Sequence, residues 1–343
     1  MSGITAGRAR ADAPVKAPPW DPAPTWGPHG LLHRLELDGR AVADYVDGAG
    51  APVFDARRPH LHPVRTPGGV VVTDAAARDH TWHLGISLGV QDVAGNNLWG
   101  GRTYLRDDGY TWRRDHGSIR HEAWVEHAPG VLVETLSWLA ADGSTLLTET
   151  RELRWAWAPA PIPGWILELT STLEVACSAP VPLGSPGSNG RPGGGYGGLF
   201  WRLPPCSGVD VRTPVARGEE SVHGTVPAEG ASWLAWSALA APAGVADDDA
   251  PHERPFTVAI APLDDVTARD PWFVRVADYP GFGSALAWTA PVVVRPGGPV
   301  RRAFRCLVAD GLLEDAVVGS ALGIAQDPLD RRGQPPVFED GAV

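Results

Sequence analysis

Short segments in which apolar and polar residues alternate limit the possible folds of this chain more than any other pattern in its sequence. In residues 145–157, TLLTETRELRWAW, apolar and polar residues partly alternate, which is typical of a strand with one buried face. The dipeptides Asp38-Gly39 and Asp142-Gly143 lie between such segments and are typical of hairpin turns. Many short strands with regular turn signals indicate a sandwich or a closed barrel. We expect an all-β fold, a large antiparallel β-sandwich with few short helices.

The composition of individual stretches predicts how the chain is organised. Residues 1–28 contain six prolines and few periodic apolar residues, which predicts a flexible N-terminal arm. We expect residues 29–330 to form a single β-sandwich domain and residues 331–343 to form a C-terminal tail. The stretch 178–198 is rich in Gly, Pro and Ser and is predicted to be a loop. Apolar residues at helical intervals predict a short helix over 312–324.

Charge and cysteine content argue against several classes of protein. A net charge of −11 disfavours a nucleic-acid partner and an acidic membrane surface. No run of 18 apolar residues predicts a membrane span, and the first 20 residues lack the apolar core of a secretory signal. The three widely spaced cysteines do not predict a disulfide framework. We therefore expect a soluble, cytoplasmic protein; its oligomeric state does not follow from the sequence.

Histidines are concentrated in one part of the chain. Seven of the 11 lie between positions 60 and 127. His60 and His62 form an HxH pair that would face one side of a strand, and His80 and His83 form an HxxH pair. Because imidazole exchanges protons near neutral pH, we expect these four residues and His121 to be catalytic. The alternative is that these histidines only satisfy hydrogen bonds in turns.

A second interpretation of the same histidines is a metal site. HxH and HxxH together offer four nitrogen ligands, His60, His62, His80 and His83, to a divalent metal such as zinc, iron, manganese or copper. Asp79 would then be a further ligand or would orient one of the imidazoles. The spacing alone does not decide between a metal cofactor and metal-free acid/base chemistry.

Aromatic and hydrogen-bonding residues beside the histidines are of the types that bind sugars. The chain has 15 tryptophans, and the face of an indole ring suits the C–H groups of a sugar, although packing between sheets is the alternative for each ring. Asn and Arg side chains donate directional hydrogen bonds to hydroxyl or carboxylate groups. We expect a substrate-binding group formed by Trp82, Asn97, Trp99, Arg102, Arg113 and Tyr196.

An ordered series of motifs resembles the signature of a known family. The series, within residues 30–315, consists of RPHLHPVRTPGG, RDHTWHLG, QDVAGNNLWGG, HGSIRH and YGGLFWRLP. These motifs are similar to those of the PmoA-like family, which is labelled "methane oxygenase PmoA". The chain departs from the family pattern at Trp82 and Ala309, where the family usually has histidine, so no catalytic histidine is expected at either position.

The resemblance implies a role in the metabolism of sugars, and by analogy of fold a large sandwich of the mutarotase supersandwich type. We expect an enzyme that acts on a sugar, a glycoside or an oxidised (keto) glycoside by histidine acid/base chemistry, as a lyase, a hydrolase or an isomerase. One alternative is a metal-dependent oxygenase or lyase with a histidine-rich site. Another is a non-catalytic accessory protein that binds carbohydrate.

Overall fold

The computed structural model describes residues 30–240 and 253–324. The predicted arm at 1–28 and the predicted tail at 331–343 lie outside the described residues. The two described ranges contain both the strands that form the fold and the histidine-rich segment.

The described chain is dominated by strands, which are numbered in chain order. The first eleven are β1 (Leu31–Leu37), β2 (Arg40–Val46), β3 (His60–Val64), β4 (Ala75–Ala77), β5 (His80–Leu84), β6 (Ile86–Gly89), β7 (Asp92–Val93), β8 (Thr103–Leu105), β9 (Gly109–Thr111), β10 (Ser118–Ala128) and β11 (Val131–Leu139). The others are β12 (Thr145–Trp157), β13 (Gly164–Val175), β14 (Val181–Gly184), β15 (Gly198–Arg202), β16 (Cys206–Arg212), β17 (Leu234–Ala240), β18 (Arg254–Pro262), β19 (Trp272–Arg275), β20 (Gly281–Ala285), β21 (Val292–Val294) and β22 (Val300–Asp310).

Most of these strands belong to two antiparallel sheets. The seven-stranded sheet has the order β1-β2-β3-β6-β15-β20-β19, and the eight-stranded sheet has the order β10-β11-β12-β13-β22-β18-β17-β16. The inner faces of the two sheets pack against each other. The core between them includes Leu61 of β3, Trp155 of β12 and Val258 of β18. The expected all-β fold, a large antiparallel β-sandwich, is confirmed.

Strand β12 shows how the alternating pattern produces this packing. Leu147, Leu153 and Trp155 are buried and face the other sheet, because side chains two apart on a strand point to the same side. Their burial removes apolar surface from water, which is the main stabilising term in a core of this kind. Glu149 and Arg151 lie in the same inward register and are also buried, so the interior contains charged groups as well.

The turns follow the predicted Asp-Gly positions, and one predicted loop differs. Asp38 and Gly39 join β1 to β2 with φ angles of 50° and 74°, the left-handed conformation that a two-residue hairpin turn requires. The prediction of a continuous loop over 178–198 is wrong at β14. Val181 and Leu183 of that strand are buried and pair with β21, so apolar burial there outweighs the loop-forming composition.

Two short α-helices lie in the described ranges, α1 (Glu219–Val222) and α2 (Asp315–Ala321). The helix predicted over 312–324 is confirmed by α2. Val318 on α2 packs against Ala259 and Leu307, which lie on the outer face of the eight-stranded sheet. Neither helix has the length and apolar character that crossing a membrane requires.

The outer face of the seven-stranded sheet carries a different set of side chains from its inner face. On β15, Leu199 and Trp201 belong to the core between the sheets, whereas Phe200 belongs to a separate aromatic group on the other side. Arg202 follows in the same outward register as Phe200. Phe273 of β19 is part of the same outer group. The outer face of this sheet is therefore where the aromatic and polar residues of the candidate site assemble.

Candidate functional site

A cavity of about 530 Å³ lies over the outer aromatic group of the seven-stranded sheet. Its walls are aromatic and charged, formed by Trp82, Trp99, Tyr110, Tyr196, Phe273 and Tyr279, and by His80, His83, Arg102, Arg191, Arg275 and Asp278. A more open hollow of about 730 Å³ lies near α1, but none of the described residues that line it is a histidine or an aromatic. The first cavity, with its histidine, aromatic and arginine side chains, is therefore the candidate functional site.

The buried arginine Arg58 holds the floor of this cavity in place. Its guanidinium donates hydrogen bonds to the carbonyl oxygens of Trp82 and Trp99, both at 2.9 Å, and to the Oγ of Ser87 at 3.2 Å. Burial lowers the pKa of Arg58 to about 9, so the group is still a cation at neutral pH. Two tryptophans from separate segments are therefore fixed by one side chain.

Two glycines allow the ring of Trp82 to lie directly on the backbone of the next segment. Gly100 and Gly101 have φ angles of 104° and 69°. A Cβ at Gly101 would lie 2.5 Å from the indole ring of Trp82, so a side chain there would displace it. Asn97 organises this turn, because its Oδ1 accepts hydrogen bonds from the backbone N–H groups of Trp99 and Gly100 at 3.0 and 2.8 Å.

His80, at the start of β5 and on the cavity wall, is paired with a carboxylate. Its Nδ1 lies 3.2 Å from Oδ2 of Asp79, and Arg202 donates two hydrogen bonds to the same carboxylate at 2.9 and 3.0 Å. Burial opposes ionisation of Asp79, but the hydrogen bond from His80 and the charge of Arg202 outweigh it and lower the pKa of Asp79. Because an ionised carboxylate only accepts, Nδ1 of His80 carries the proton and Nε2 is left as the basic nitrogen.

His83 lies deeper, two per cent exposed, and stacks on His80 with ring centroids 4.6 Å apart and planes 8° from parallel. An arginine donates only, so Nδ1 of His83 accepts from Nη1 of Arg202 at 3.3 Å and the proton is on Nε2. Burial, reinforced by the charges of His80 and Arg202, lowers the pKa of His83 well below its usual value. His83 is therefore a neutral imidazole at neutral pH.

Three tyrosines complete the aromatic wall. The ring of Tyr279 lies 4.7 Å from both His80 and His83. The hydroxyl groups of Tyr110 and Tyr196 are hydrogen-bonded to each other at 3.0 Å. Burial raises the pKa of Tyr196 and of Tyr279 above the usual range, so both hydroxyls stay protonated and remain able to donate. The cavity thus combines a basic imidazole nitrogen with neutral hydroxyl donors.

Six of the residues expected to be functional are brought together by the structure. These six are His80, His83, Trp82, Trp99, Arg102 and Tyr196. They come from β5, from the turn after β7 and from the segment before β15, so the fold joins residues more than 100 positions apart. The expected pairing of a histidine group with tryptophans and an arginine is present in the cavity.

Five other expected site residues lie away from the cavity wall, and those assignments are corrected. Nδ1 of His60 donates to the carbonyl of Arg58 at 3.0 Å, and Nδ1 of His62 shares a hydrogen bond with Thr73 at 3.0 Å. His121 pairs with Glu134 at 2.6 Å, on the inner side of the sandwich.

The remaining two corrections concern the expected substrate-binding residues Asn97 and Arg113. Asn97 is fully buried and uses its amide to cap the turn before Gly101. Arg113 donates to the carboxylate of Asp115 at 3.1 Å and is not on the cavity wall. The amide of Asn97 is used by the protein itself, whereas Arg113 is about half exposed and uses only its Nε in this ion pair.

The metal site expected from His60, His62, His80 and His83 is not formed. Only the second pair is on the cavity wall, and its rings are stacked nearly parallel, so their nitrogen lone pairs lie in parallel planes and do not converge on one ion. Among residues 30–240 and 253–324, no group of three or more His, Cys, Asp or Glu side chains is arranged to hold a metal ion.

Several residues of the cavity were not expected from the sequence, namely Tyr110, Arg191, Arg275, Asp278 and Tyr279. Arg191 and Tyr196 both lie in the glycine-rich segment 178–198. A single arginine among these glycines was a signal that could have indicated Arg191 as a site residue. Asp278 and Tyr279 follow β19 and carry no recognisable motif. Only the pairing of β19 with β20 at the edge of the sheet brings them to His80.

One solved structure that the chain resembles is the heparan sulfate lyase HepC from Pedobacter heparinus. The two chains are 11% identical and superpose with a TM-score of 0.36. The likeness covers 81% of this chain and 34% of that one, so the chain spans about a third of the length of that enzyme. No curated protein matches the chain.

The family assignment rests on a match along most of the chain. The matching model covers residues 33–322 and describes a family of unknown function. The expected membership of the PmoA-like family is thereby corrected, because the comparison identifies this family and nothing shows a methane oxygenase family. The chain belongs to the family of unknown function DUF6807.

Proposed function

We propose that this protein is an enzyme that acts on a sugar, a glycoside or a keto-glycoside by proton transfer, with His80 as the base. The observation that carries the proposal is the Asp79–His80 pair on the wall of an aromatic cavity. A carboxylate that holds one imidazole nitrogen protonated leaves the other as a base of defined orientation. Arg202 donates a hydrogen bond to the carboxylate of Asp79 and so fixes its position relative to His80.

The protonation state of His80 suits this role. Burial lowers its pKa, although Asp79 partly offsets the effect, so the ring is neutral at neutral pH and Nε2 is free to accept a proton. The proton would come from a substrate hydroxyl or from a carbon beside a carbonyl group. Neutral His83 stacks on the ring and adds no positive charge beside it. His83 is a positioning residue in this scheme.

Tyr279 is the proposed donor to the oxygen that gains negative charge. Its ring contacts both histidine rings, and burial raises the pKa of its hydroxyl so that the proton is retained until a stronger base is present. As the proton moves from substrate to His80, the hydroxyl of Tyr279 donates to the developing oxyanion. The protonated imidazole then returns its proton to the product or releases it to water.

The size and the surface of the cavity support a sugar as substrate. A volume of about 530 Å³ lies within the range of small-molecule sites, about 300–1,000 Å³. Trp82 presents an indole ring at the cavity wall, fixed by Arg58 behind it and by the glycine turn beneath it. Aromatic faces pack well against the C–H faces of pyranose rings, while the tyrosine hydroxyls donate to their oxygens.

The test is a screen of glycosides and 3-keto-glycosides with the full chain, followed by His80→Gln and Tyr279→Phe variants. Removing a general base should lower kcat/KM by about 100- to 10,000-fold, whereas His127→Gln, a histidine outside the cavity, serves as the control. Because the pKa of His80 is lowered, kcat/KM should be level around neutral pH and should fall as the medium becomes acidic. Full activity in His80→Gln, or saturable sugar binding without turnover of any compound, would overturn the proposal.

A further inference from the structure

Two arginines on the cavity wall lie on the same tyrosine ring. The guanidinium carbon of Arg102 is 5.7 Å from the ring centroid of Tyr110, and that of Arg191 is 5.2 Å from it. Arg102 precedes β8, and Arg191 belongs to the glycine-rich segment before β15, so the fold brings the two charges together from distant parts of the chain. We call this group, Arg102, Tyr110 and Arg191, the arginine subsite.

No described residue neutralises the charges of the arginine subsite. Within the described ranges, neither Arg102 nor Arg191 has a side-chain hydrogen bond or an ion pair; each guanidinium lies against the face of Tyr110. By contrast, Arg202 of the same site is bound through two hydrogen bonds to Asp79. An arginine that holds no carboxylate keeps its full set of N–H donors available to a ligand.

The balance of charge around the cavity also favours an anion. Among the described residues that line it are three arginines, Arg102, Arg191 and Arg275, and one carboxylate, that of Asp278. The carboxylate of Asp79, next to His80, is already bound by Arg202. The chain as a whole has a net charge of −11, so this positive wall is not a consequence of general composition. A concave surface lined by one sign of charge concentrates ligands of the opposite sign.

We propose that the arginine subsite binds an oxyanion carried by the substrate, so that the enzyme acts on an acidic sugar rather than a neutral one. That the ligand is a sugar rests on the proposed function; the binding of the anion does not. A carboxylate, a sulfate or a phosphate group on the sugar has the shared chemistry that a guanidinium fork recognises.

The subsite is connected to the histidines through the cavity floor. Tyr110 is hydrogen-bonded to Tyr196, whose ring lies 5.0 Å from Trp99, and Trp99 lies 5.8 Å from His83. The anionic group therefore binds at one end of the aromatic floor and the reacting position lies at the other, beside His80. Holding the charged end of the substrate orients the rest of the ring toward the base.

Equilibrium binding tests the inference without requiring turnover. Titrations monitored by calorimetry would compare glucuronate, glucose 6-sulfate and glucose 6-phosphate with neutral glucose, using the full chain. We expect at least one anionic sugar to bind about tenfold or more tightly than glucose, because hydrogen bonds to charged groups are stronger than those between neutral groups. Which of the three binds best identifies the oxyanion.

Variants of the subsite make the test specific. Arg102→Gln and Arg191→Gln should each weaken binding of the anionic sugar much more than binding of glucose, and so lose most of the preference for the anion. Arg106→Gln, an exposed arginine of the neighbouring turn, is the matched control. Equal affinity for charged and neutral sugars, or an undiminished preference in both variants, would overturn the inference.

The same measurements separate this inference from the proposed function. His80→Gln should retain the binding of the anionic sugar while losing activity, because His80 is not part of the subsite. Turnover of neutral sugars without any preference for anions would remove the arginine subsite and leave the acid/base proposal intact. Selective binding of an anion without turnover of any sugar would remove the acid/base proposal and leave the subsite intact.

Discussion

Two groups of polar residues lie on opposite sides of the seven-stranded sheet, and they differ in how completely their charges are paired. The inner cluster, between the sheets, consists of the buried residues Tyr45, Glu134, Glu149 and Arg151 and the half-buried His121. In this cluster Arg151 donates to both carboxylate oxygens of Glu149 at 2.9 Å each, and to the hydroxyl of Tyr45 at 2.9 Å. The guanidinium of Arg151 is therefore hydrogen-bonded to both of these neighbours.

Further contacts close the inner cluster. Glu134 accepts hydrogen bonds from Tyr45 and from His121, and the indole N–H of Trp138 donates to Glu149 at 2.7 Å. Burial opposes the charge of Arg151, but the neighbouring carboxylates outweigh it and raise its pKa. Buried charges of this kind are tolerated only because each has partners of opposite charge or good hydrogen bonds.

The cavity on the outer face is built differently. Asp79, His80 and Arg202 form a paired set like that of the inner cluster, but Arg102 and Arg191 have no such partner in the described chain. We infer that the closed network of charges stabilises the fold, whereas the incomplete one leaves N–H donors available to the proposed ligand. If this distinction holds, substitutions in the inner cluster should cost far more stability than substitutions in the arginine subsite.

Removing the cation from the inner cluster should change stability the most. Arg151→Met leaves Glu149 buried without its partner, which should lower the free energy of unfolding by about 3–5 kcal/mol. Chemical denaturation at neutral pH measures this change. The double variant Arg151→Met, Glu149→Gln should recover part of the loss, because no unpaired charge remains. A loss of less than about 1 kcal/mol in the single variant would show that the cluster does not hold the sheets together.

Acid should destabilise the protein through the buried histidine of the cavity. Because the folded pKa of His83 lies well below 6.5, the unfolded chain binds more protons at mildly acidic pH, and stability falls as the pH drops through 6.5. Such a histidine changes the free energy of unfolding by about 1.4 kcal/mol per pH unit between its pKa in the folded state and its pKa in the unfolded state. Denaturation measured from pH 7.5 to pH 5 should give a shallower slope for His83→Phe. An unchanged slope in that variant would contradict the burial of a neutral His83.

Substitution in the arginine subsite should change stability the least. Arg102→Gln and Arg191→Gln break no ion pair of the described chain, so each should change the free energy of unfolding by no more than about 0.5 kcal/mol without ligand. The change should be slightly stabilising, since two cations that share one tyrosine repel each other. Thermal denaturation in low salt measures it. A loss comparable with that of Arg151→Met would mean that these arginines also belong to a closed network.

The histidine pairs show how far a pattern in sequence predicts a site. HxxH grouped His80 with His83, and their rings stack in the cavity, although residues three apart on a regular strand point to opposite faces. HxH predicted a shared face for His60 and His62, but the carbonyl of Arg58 and the hydroxyl of Thr73 occupy a nitrogen of each ring. Spacing indicates which side chains can lie close together, and it does not indicate which other groups of the protein will bind them.

Local patterns in the chain were sufficient to predict the all-β fold, the hairpin turns and a concentration of histidine and tryptophan near one site. These features follow from contacts between residues close in the chain, through the two-residue period of a strand and the left-handed conformation of Asp-Gly turns. Long-range strand pairing, in contrast, was needed to bring Arg191 and Tyr279 to His80 in one cavity and to place His121 in the inner cluster. No local pattern specifies which distant strands pair, because that pairing is set by the packing of the whole core.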